Sequence, residues 1–315
     1  MPSSRRALLT GVGAALTGLA GCLDFGGGTN QPSSPTGTST ATPSPTSTPP
    51  ALTDTTLGNA IALDTDGDGR GDGMVVVVSD LVSAHSIRYL TAPDAFGVAD
   101  AGGQQFALVH VAARGEGTPP TPDDFSLVAD GTTYESGIAS VGPARVDDPV
   151  SGRPYGGSDR RGYLGFRVPA PLDADTVAIQ LAETGRWTVS DSELDALRSP
   201  PPAFSTRIEV PERVAADEAI SVRIDVTNEG EGLGTFHGAI NHQGPLYAAD
   251  AFSFSLPPGE STTHEATVGY FRGSESPPAR VQFGVVGPGV SESFTVSIEG
   301  GGTPSGTATV TDTPS

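Results

Sequence analysis

Ile220, Val222, Ile224 and Val226 alternate with Ser221, Arg223, Asp225 and Thr227. A period of two puts apolar groups on one side of an extended chain and polar groups on the other, which suits a strand with one buried and one wet face. The pattern recurs. Phe252, Phe254 and Leu256 alternate with serines, Val281 with Phe283 and Val285 forms a further run, and Phe294, Val296 and Ile298 another. Thr206 to Val210, Thr235 to Asn241 and Thr263 to Tyr270 bring the total to seven short segments. Turn formers such as Pro257-Pro258-Gly259-Glu260 punctuate them. Short alternating strands at this spacing predict an antiparallel sandwich.

The region upstream is also strand-rich. Met74 to Val78 and Gln105 to Ala113 are β-branched or apolar runs, Leu164, Phe166 and Val168 alternate, and Val177 to Leu181 follows. One short helix is expected where Ser190 precedes Asp191 and Glu193, because a serine cap and early acids suit a helix start. Ser199-Pro200-Pro201-Pro202 can continue neither a helix nor a central strand. The expected fold class is all-β. Two antiparallel sandwiches stand in tandem at 53–198 and 204–299, joined by a proline linker at 199–203. Val226-Thr227-Asn228-Glu229-Gly230 with Leu256-Pro257-Pro258-Gly259-Glu260 resembles the adhesion-related immunoglobulin-like repeats of prokaryotic surface proteins. Residues 53–198 resemble the telokin-like immunoglobulin-fold lipoproteins of unknown function. They do so through Phe106 to Val111, Pro122 to Gly131 and Gly162 to Pro169, and depart from the pattern at 64–73 and 140–160. The resemblance implies immunoglobulin-like folds and no particular reaction.

The first residues read as an address. Arg5 and Arg6 precede an apolar run from Ala7 to Ala20, too short to cross ~30 Å of hydrocarbon, so 1–21 is expected to be a signal peptide. The paired arginines resemble a twin-arginine export signal. Leu19-Ala20-Gly21-Cys22 resembles the lipobox of prokaryotic lipoproteins, which implies a lipid on the Cys22 thiol. Cys22 is the only cysteine, so no internal disulfide competes for it. Residues 22–52 hold the lipidated cysteine and a Ser/Thr/Pro stalk with too few apolar groups to order, and 300–315 form a tail of the same composition.

The net charge is −20, and all 17 basic residues are arginine. Such charge repels itself in fresh water and is screened at molar salt, where the Debye length is about 3 Å. An acidic chain without lysine resembles proteins of extreme halophiles, and with the export signal it resembles the twin-arginine-exported lipoproteins of haloarchaea. The same charge argues against nucleic acid as a partner.

Two segments carry candidate chemistry. Asp64, Asp66, Asp68 and Asp72, with glycine at the sixth position, match the first part of a calcium loop, although Val75 stands where a bidentate acid belongs. Two readings stand: a weak structural calcium site, or a solvated strand connection. No other cofactor is expected. Between Gly142 and Arg161, Arg145, Arg153, Tyr155, Arg160 and Arg161 lie among glycines. Such a loop suits an anionic or sugar ligand, and its alternative is a flexible insertion. His237 and His242 are five apart and face opposite ways on one strand. His110 sits in an apolar run and reads as a satisfied, partly buried residue rather than a ligand. No Gly-x-Ser-x-Gly elbow or lysine-bearing phosphate loop occurs.

The expectation is therefore a non-enzymatic, lipid-anchored protein on the outer side of the cell membrane, binding a surface or envelope protein. The alternatives are a ligand-capturing lipoprotein serving a transporter, or an accessory module of an extracellular hydrolase.

Overall fold

The computed structural model describes residues 52–63, 73–243, 248–269 and 277–301. Arg5, Arg6, Cys22, the stalk, the aspartates at 64, 66, 68 and 72, and the tail beyond 301 lie outside the described residues.

In chain order the first strands are β1 (Thr53–Thr56), β2 (Ala60–Leu63), β3 (Met74–Ala84), β4 (Ser86–Ala92), β5 (Ala95–Asp100) and β6 (Gln104–Gly115). After a single 3-10 turn at Pro122–Asp124 come β7 (Phe125–Ala129), β8 (Thr132–Glu135), β9 (Val146–Asp148), β10 (Arg161–Pro169), β11 (Val177–Leu181), β12 (Gly185–Thr188) and the helix α1 (Asp191–Arg198). Then follow β13 (Phe204–Glu209), β14 (Arg213–Ala215), β15 (Ile220–Asn228), β16 (Gly234–Gln243), β17 (Ala249–Leu256), β18 (Ser261–Val268), β19 (Arg280–Gly287) and β20 (Val290–Glu299). The described chain is thus mostly β, with one α-helix.

The strands form five sheets. The sheet β1-β12-β11-β7-β8 and the sheet β10-β6-β3-β2 share one core, built around Trp187, Phe125, Phe166 and Ile179. Helix α1 adds Leu194 and Leu197 to that core. Its start is a capping box: Ser190 Oγ accepts from Glu193 N, and Glu193 Oε2 accepts from Ser190 N at 2.7 Å. The third sheet, β5-β4-β9, lies on the outer face of β6. Ala107, Val109 and Val111 of β6 therefore enter the first core while Phe106 and Leu108 enter another with Ile87 and Val146. Both faces of this strand are covered, which is why its sequence is a continuous apolar run rather than an alternation. β3 runs on past the predicted end at Val78 through an irregularity between Ser79 and Val82, so it spans both cores.

Downstream, the sheets β13-β15-β18 and β14-β20-β19-β16-β17 enclose a core of Ile220, Val222, Ile224, Val226, Phe236 and Phe283. The alternation along β15 is the one seen in the sequence. Eight strands replace the seven expected, because Arg213–Ala215 forms a short parallel edge on β20. Asn228 is fully buried. Its amide donates to Gly232 O and Leu256 O at 2.8 Å each, and its Oδ1 accepts from Ala203 N and Gly230 N. One side chain thereby fixes the β15–β16 loop, the end of β17 and the chain after the prolines.

The proline segment at 199–203 does more than separate. Gly232 N donates to Pro201 O and Glu229 N to Ala203 O. Any side chain at Gly232 would collide with the Pro200 carbonyl, so glycine is required there. The described residues form one compact unit across this segment.

Candidate functional site

The loop between Gly142 and Arg161 divides its residues into anchors and free cations. It is not a loose insertion. Val146 and Gly152 exchange two backbone hydrogen bonds, and Tyr163 and Tyr155 are tied by another at 2.9 Å. A Cβ at Gly162 would strike Arg153 O and Tyr155 N, so the bare glycine lets the loop lie against β10. Tyr155 does not display its ring. It is 2% exposed, stands edge-on to Phe125 at 5.7 Å, and donates its hydroxyl to Pro120 O at 2.8 Å. Burial pushes its phenol up, with the carboxylate of Asp124 adding to the effect, which keeps the hydroxyl a donor. Arg160 is an anchor as well, donating to Gly115 O at 2.7 Å and Gly117 O at 2.8 Å. Tyr163 completes the set, its hydroxyl on Ala144 O at 3.0 Å and its pKa pushed up to about 12 by burial.

Arg153 and Arg161 remain exposed, and the guanidinium of neither has a hydrogen-bond or ion-pair partner among the described residues. Arg145 shares that state and flanks the Val146–Gly152 bridge on the same side as Arg153. Arg114, which carried no signal in the sequence, joins them. Arg161 pairs with Ala112 across β10 and β6, so Arg114 sits diagonally beside it on the same sheet face. Pro122, Pro143, Arg153, Pro154, Gly156 and Asp159 border an open cleft of about 350 Å³.

A second cluster lies where β4 and β9 meet β16 and β17. Ser86 Oγ is 2.8 Å from His237 Nδ1, and His237 Nε2 is 3.4 Å from Asp148 Oδ1. The latter is an electrostatic contact at the limit of hydrogen-bonding distance, and Nε2 makes no formed hydrogen bond. Arg88 donates through Nε to Asp147 Oδ2 at 2.8 Å and through Nη1 to Phe252 O at 2.7 Å. It also lies 3.4 Å from Asp148 Oδ2. The His237 imidazole holds the Asp148 carboxyl down at about 2 although burial pushes it up, with Ser253 and Arg88 assisting. Asn241 adds a pair of hydrogen bonds to the Phe96 backbone at 2.8 and 2.9 Å.

The order serine, imidazole, carboxylate is that of a hydrolytic triad. Its setting is not. Ser86 is 1% exposed and His237 2%, so the hydroxyl presents almost no surface to a substrate carbonyl. Nothing local in the sequence announces this cluster, since its members come from distant strands. His242 faces away from it, 3.1 Å from Asp250. His264 stacks on Phe252 at 3.9 Å and is lowered by burial. His110 is half-buried on β6. Among the described residues no three His, Cys, Asp or Glu side chains converge on a metal position.

No protein-family model matches the chain, and no curated protein sequence does. Among solved structures, a β-glucosidase from Listeria innocua in complex with glucose is similar at 16% identity over 32% of this chain, with a TM-score of 0.27. Bacteroides uniformis β-glucuronidase 2 is similar at 12% identity over 72% of this chain, with a TM-score of 0.22. The chain spans 16% of the first enzyme's length and 26% of the second's. At these scores the likeness carries no argument about fold or chemistry. Among the described residues no helix is long and apolar enough to cross a membrane.

Proposed function

We infer that this is a non-enzymatic, lipid-anchored protein of the outer cell surface, in which two immunoglobulin-like modules bind or brace another envelope component. Export through Arg5 and Arg6 and acylation of Cys22 would place it there, and a weak calcium site at Asp64, Asp66, Asp68 and Asp72 would stiffen one loop.

The observation that carries this reading is the Arg88 junction. A receptor that captures solutes for a transporter closes two lobes about a hinge. Here Arg88 reaches across to the carbonyls of Gly238 and Phe252 while pairing with Asp147 and Asp148. Opening the junction would strand a buried guanidinium, at a cost of about 3–5 kcal/mol. That favours a rigid brace over a closing trap. The burial of Ser86 weighs against the hydrolase alternative.

The test has two arms. The Cys22→Ser chain should leave the membrane fraction and appear in the medium, and purified protein should turn over no panel substrate. Retention of the variant in membranes would overturn the anchor. Turnover abolished by Ser86→Ala would overturn the non-enzymatic reading.

A further inference from the structure

The described arginines before the proline segment fall into two sets. Arg88, Arg160, Arg167, Arg186 and Arg198 each hold a carboxylate or a backbone carbonyl. Arg114, Arg145, Arg153 and Arg161 hold nothing among the described residues, and all four are exposed. In a chain with 37 acidic residues against 17 basic ones, carboxylates are the commonest charged neighbours available. Four guanidinium groups that meet no carboxylate among the described residues stand as two neighbouring pairs, Arg145 with Arg153 and Arg161 with Arg114.

Backbone pairing shows how closely they gather. Arg153 O accepts from Tyr163 N, two residues beyond Arg161. Arg145 precedes the antiparallel Val146–Gly152 bridge by one residue and Arg153 follows it by one, so the two stand opposite each other at the same end of it. Arg161 and Arg114 share a face of the β10–β6 pair. Of the acids nearby, Asp147 and Asp148 are held by Arg88, while Asp159, on the edge of the cleft, and Glu116 are exposed.

The cleft beside Arg153 supplies the rest of a recognition surface. Its volume of about 350 Å³ falls in the range of small-ligand sites. Pro122, Pro143 and Pro154 give it flat apolar walls without donors, and Asp159 on its edge can accept hydrogen bonds from hydroxyls. A sugar ring has an apolar C–H face and a rim of hydroxyls. A guanidinium binds a carboxylate by two parallel hydrogen bonds. Tyr155 and Arg160 hold the loop in place before any ligand arrives, so little ordering is left for binding to bring about.

We propose that the Arg153 cleft, with Arg161, Arg145 and Arg114 around it, binds acidic polysaccharide, a sugar carboxylate seating on Arg153 and successive carboxylates on the flanking arginines. This rests on the surface-protein reading and names the envelope component that it leaves open. A flexible chain of carboxylated sugars fits this face better than an acidic protein surface, because the arginine-edged cleft is concave and its proline walls suit the apolar face of a sugar ring.

The experiment titrates the full chain with alginate oligosaccharides, with neutral dextran and with poly-glutamate, by calorimetry at low and at molar salt. Alginate should bind and dextran should not. Arg153→Gln should weaken alginate binding about tenfold, and Arg153→Gln with Arg161→Gln should abolish it, with the melting temperature unchanged in both. Residual alginate binding at molar salt should disappear with Arg153→Gln, since a bidentate contact survives screening better than a diffuse field. Equal binding of poly-glutamate would overturn the polysaccharide in favour of an acidic protein. Absence of alginate binding, or binding indifferent to both variants, would overturn the site. Neither result touches the anchor, which the membrane fractionation of Cys22→Ser reads separately.

Discussion

Arg88 and Arg153 are the same side chain put to opposite uses. Arg88 is 6% exposed and meets two carboxylates and two carbonyls; Arg153 is exposed and its guanidinium meets nothing among the described residues. The first sits between two packed sheets, where every donor must find an acceptor because water is excluded. The second sits on a loop whose backbone is already satisfied by Tyr155, Arg160 and the Val146–Gly152 bridge, so its own donors remain for something else. The difference teaches that in an arginine-only, acidic protein a cation's role is set by whether the fold has consumed its donors, and its charge alone says little.

That contrast can be broken most forcefully at Arg88. Arg88→Ala leaves the buried carbonyls of Gly238 and Phe252 without their donor and takes the cation from the partly exposed Asp147 and Asp148, and should lower stability by about 2–3 kcal/mol. Urea denaturation of the full chain reads this, and an unchanged midpoint would show the junction to be ornamental. Next comes pH. Asp148 has a folded pKa of about 2 against an ordinary value of 3.8. A depressed carboxyl adds stability that is fully present above 3.8 and lost as pH falls through about 2, here worth about 2 kcal/mol. Other carboxylates titrate in the same window, so the comparison is with Asp148→Asn: the variant's urea midpoint should start lower at neutral pH and fall less steeply on acidification. Parallel curves would remove Asp148 from the account.

Smaller effects belong to the loop. Tyr155→Phe keeps the ring against Phe125 and loses only the hydrogen bond to Pro120 O, at a cost of about 1 kcal/mol. It should also weaken alginate binding without touching a ligand contact, because the loop is less well held. Arg153→Gln should change stability by no more than about 0.5 kcal/mol. If it destabilises as much as Tyr155→Phe, Arg153 is a structural residue and the distinction between anchors and free cations fails.

Much of the fold could be read from local pattern. The alternation from Ile220 to Val226 is β15, Val177 to Leu181 is β11, and Ser190 with Glu193 caps α1. Each is encoded within a few neighbouring residues, at the range over which side-chain periodicity and capping act. β14 and β9 escaped because three-residue strands carry no period, and they exist only through the partners they find on β20 and β4. The candidate loop was legible as a cluster of arginines with one tyrosine. Its division into Tyr155 and Arg160 inside, Arg153 and Arg161 outside, was not, because that depends on Phe125, Pro120, Gly115 and Gly117, which are remote in sequence.

By itself, then, the sequence determined the longer strands such as β6, β10, β11 and β15, the short helix α1 and the acidic, lysine-free composition, since these follow from spacing and residue content. Only the tertiary structure decided that Ser86, Arg88, Asp148 and His237 meet, that both faces of β6 are covered, and that Arg114 stands beside Arg161. Those outcomes depend on which sheet packs on which. They are fixed by the burial of donors and acceptors between elements far apart in the chain, for which no local pattern stands proxy.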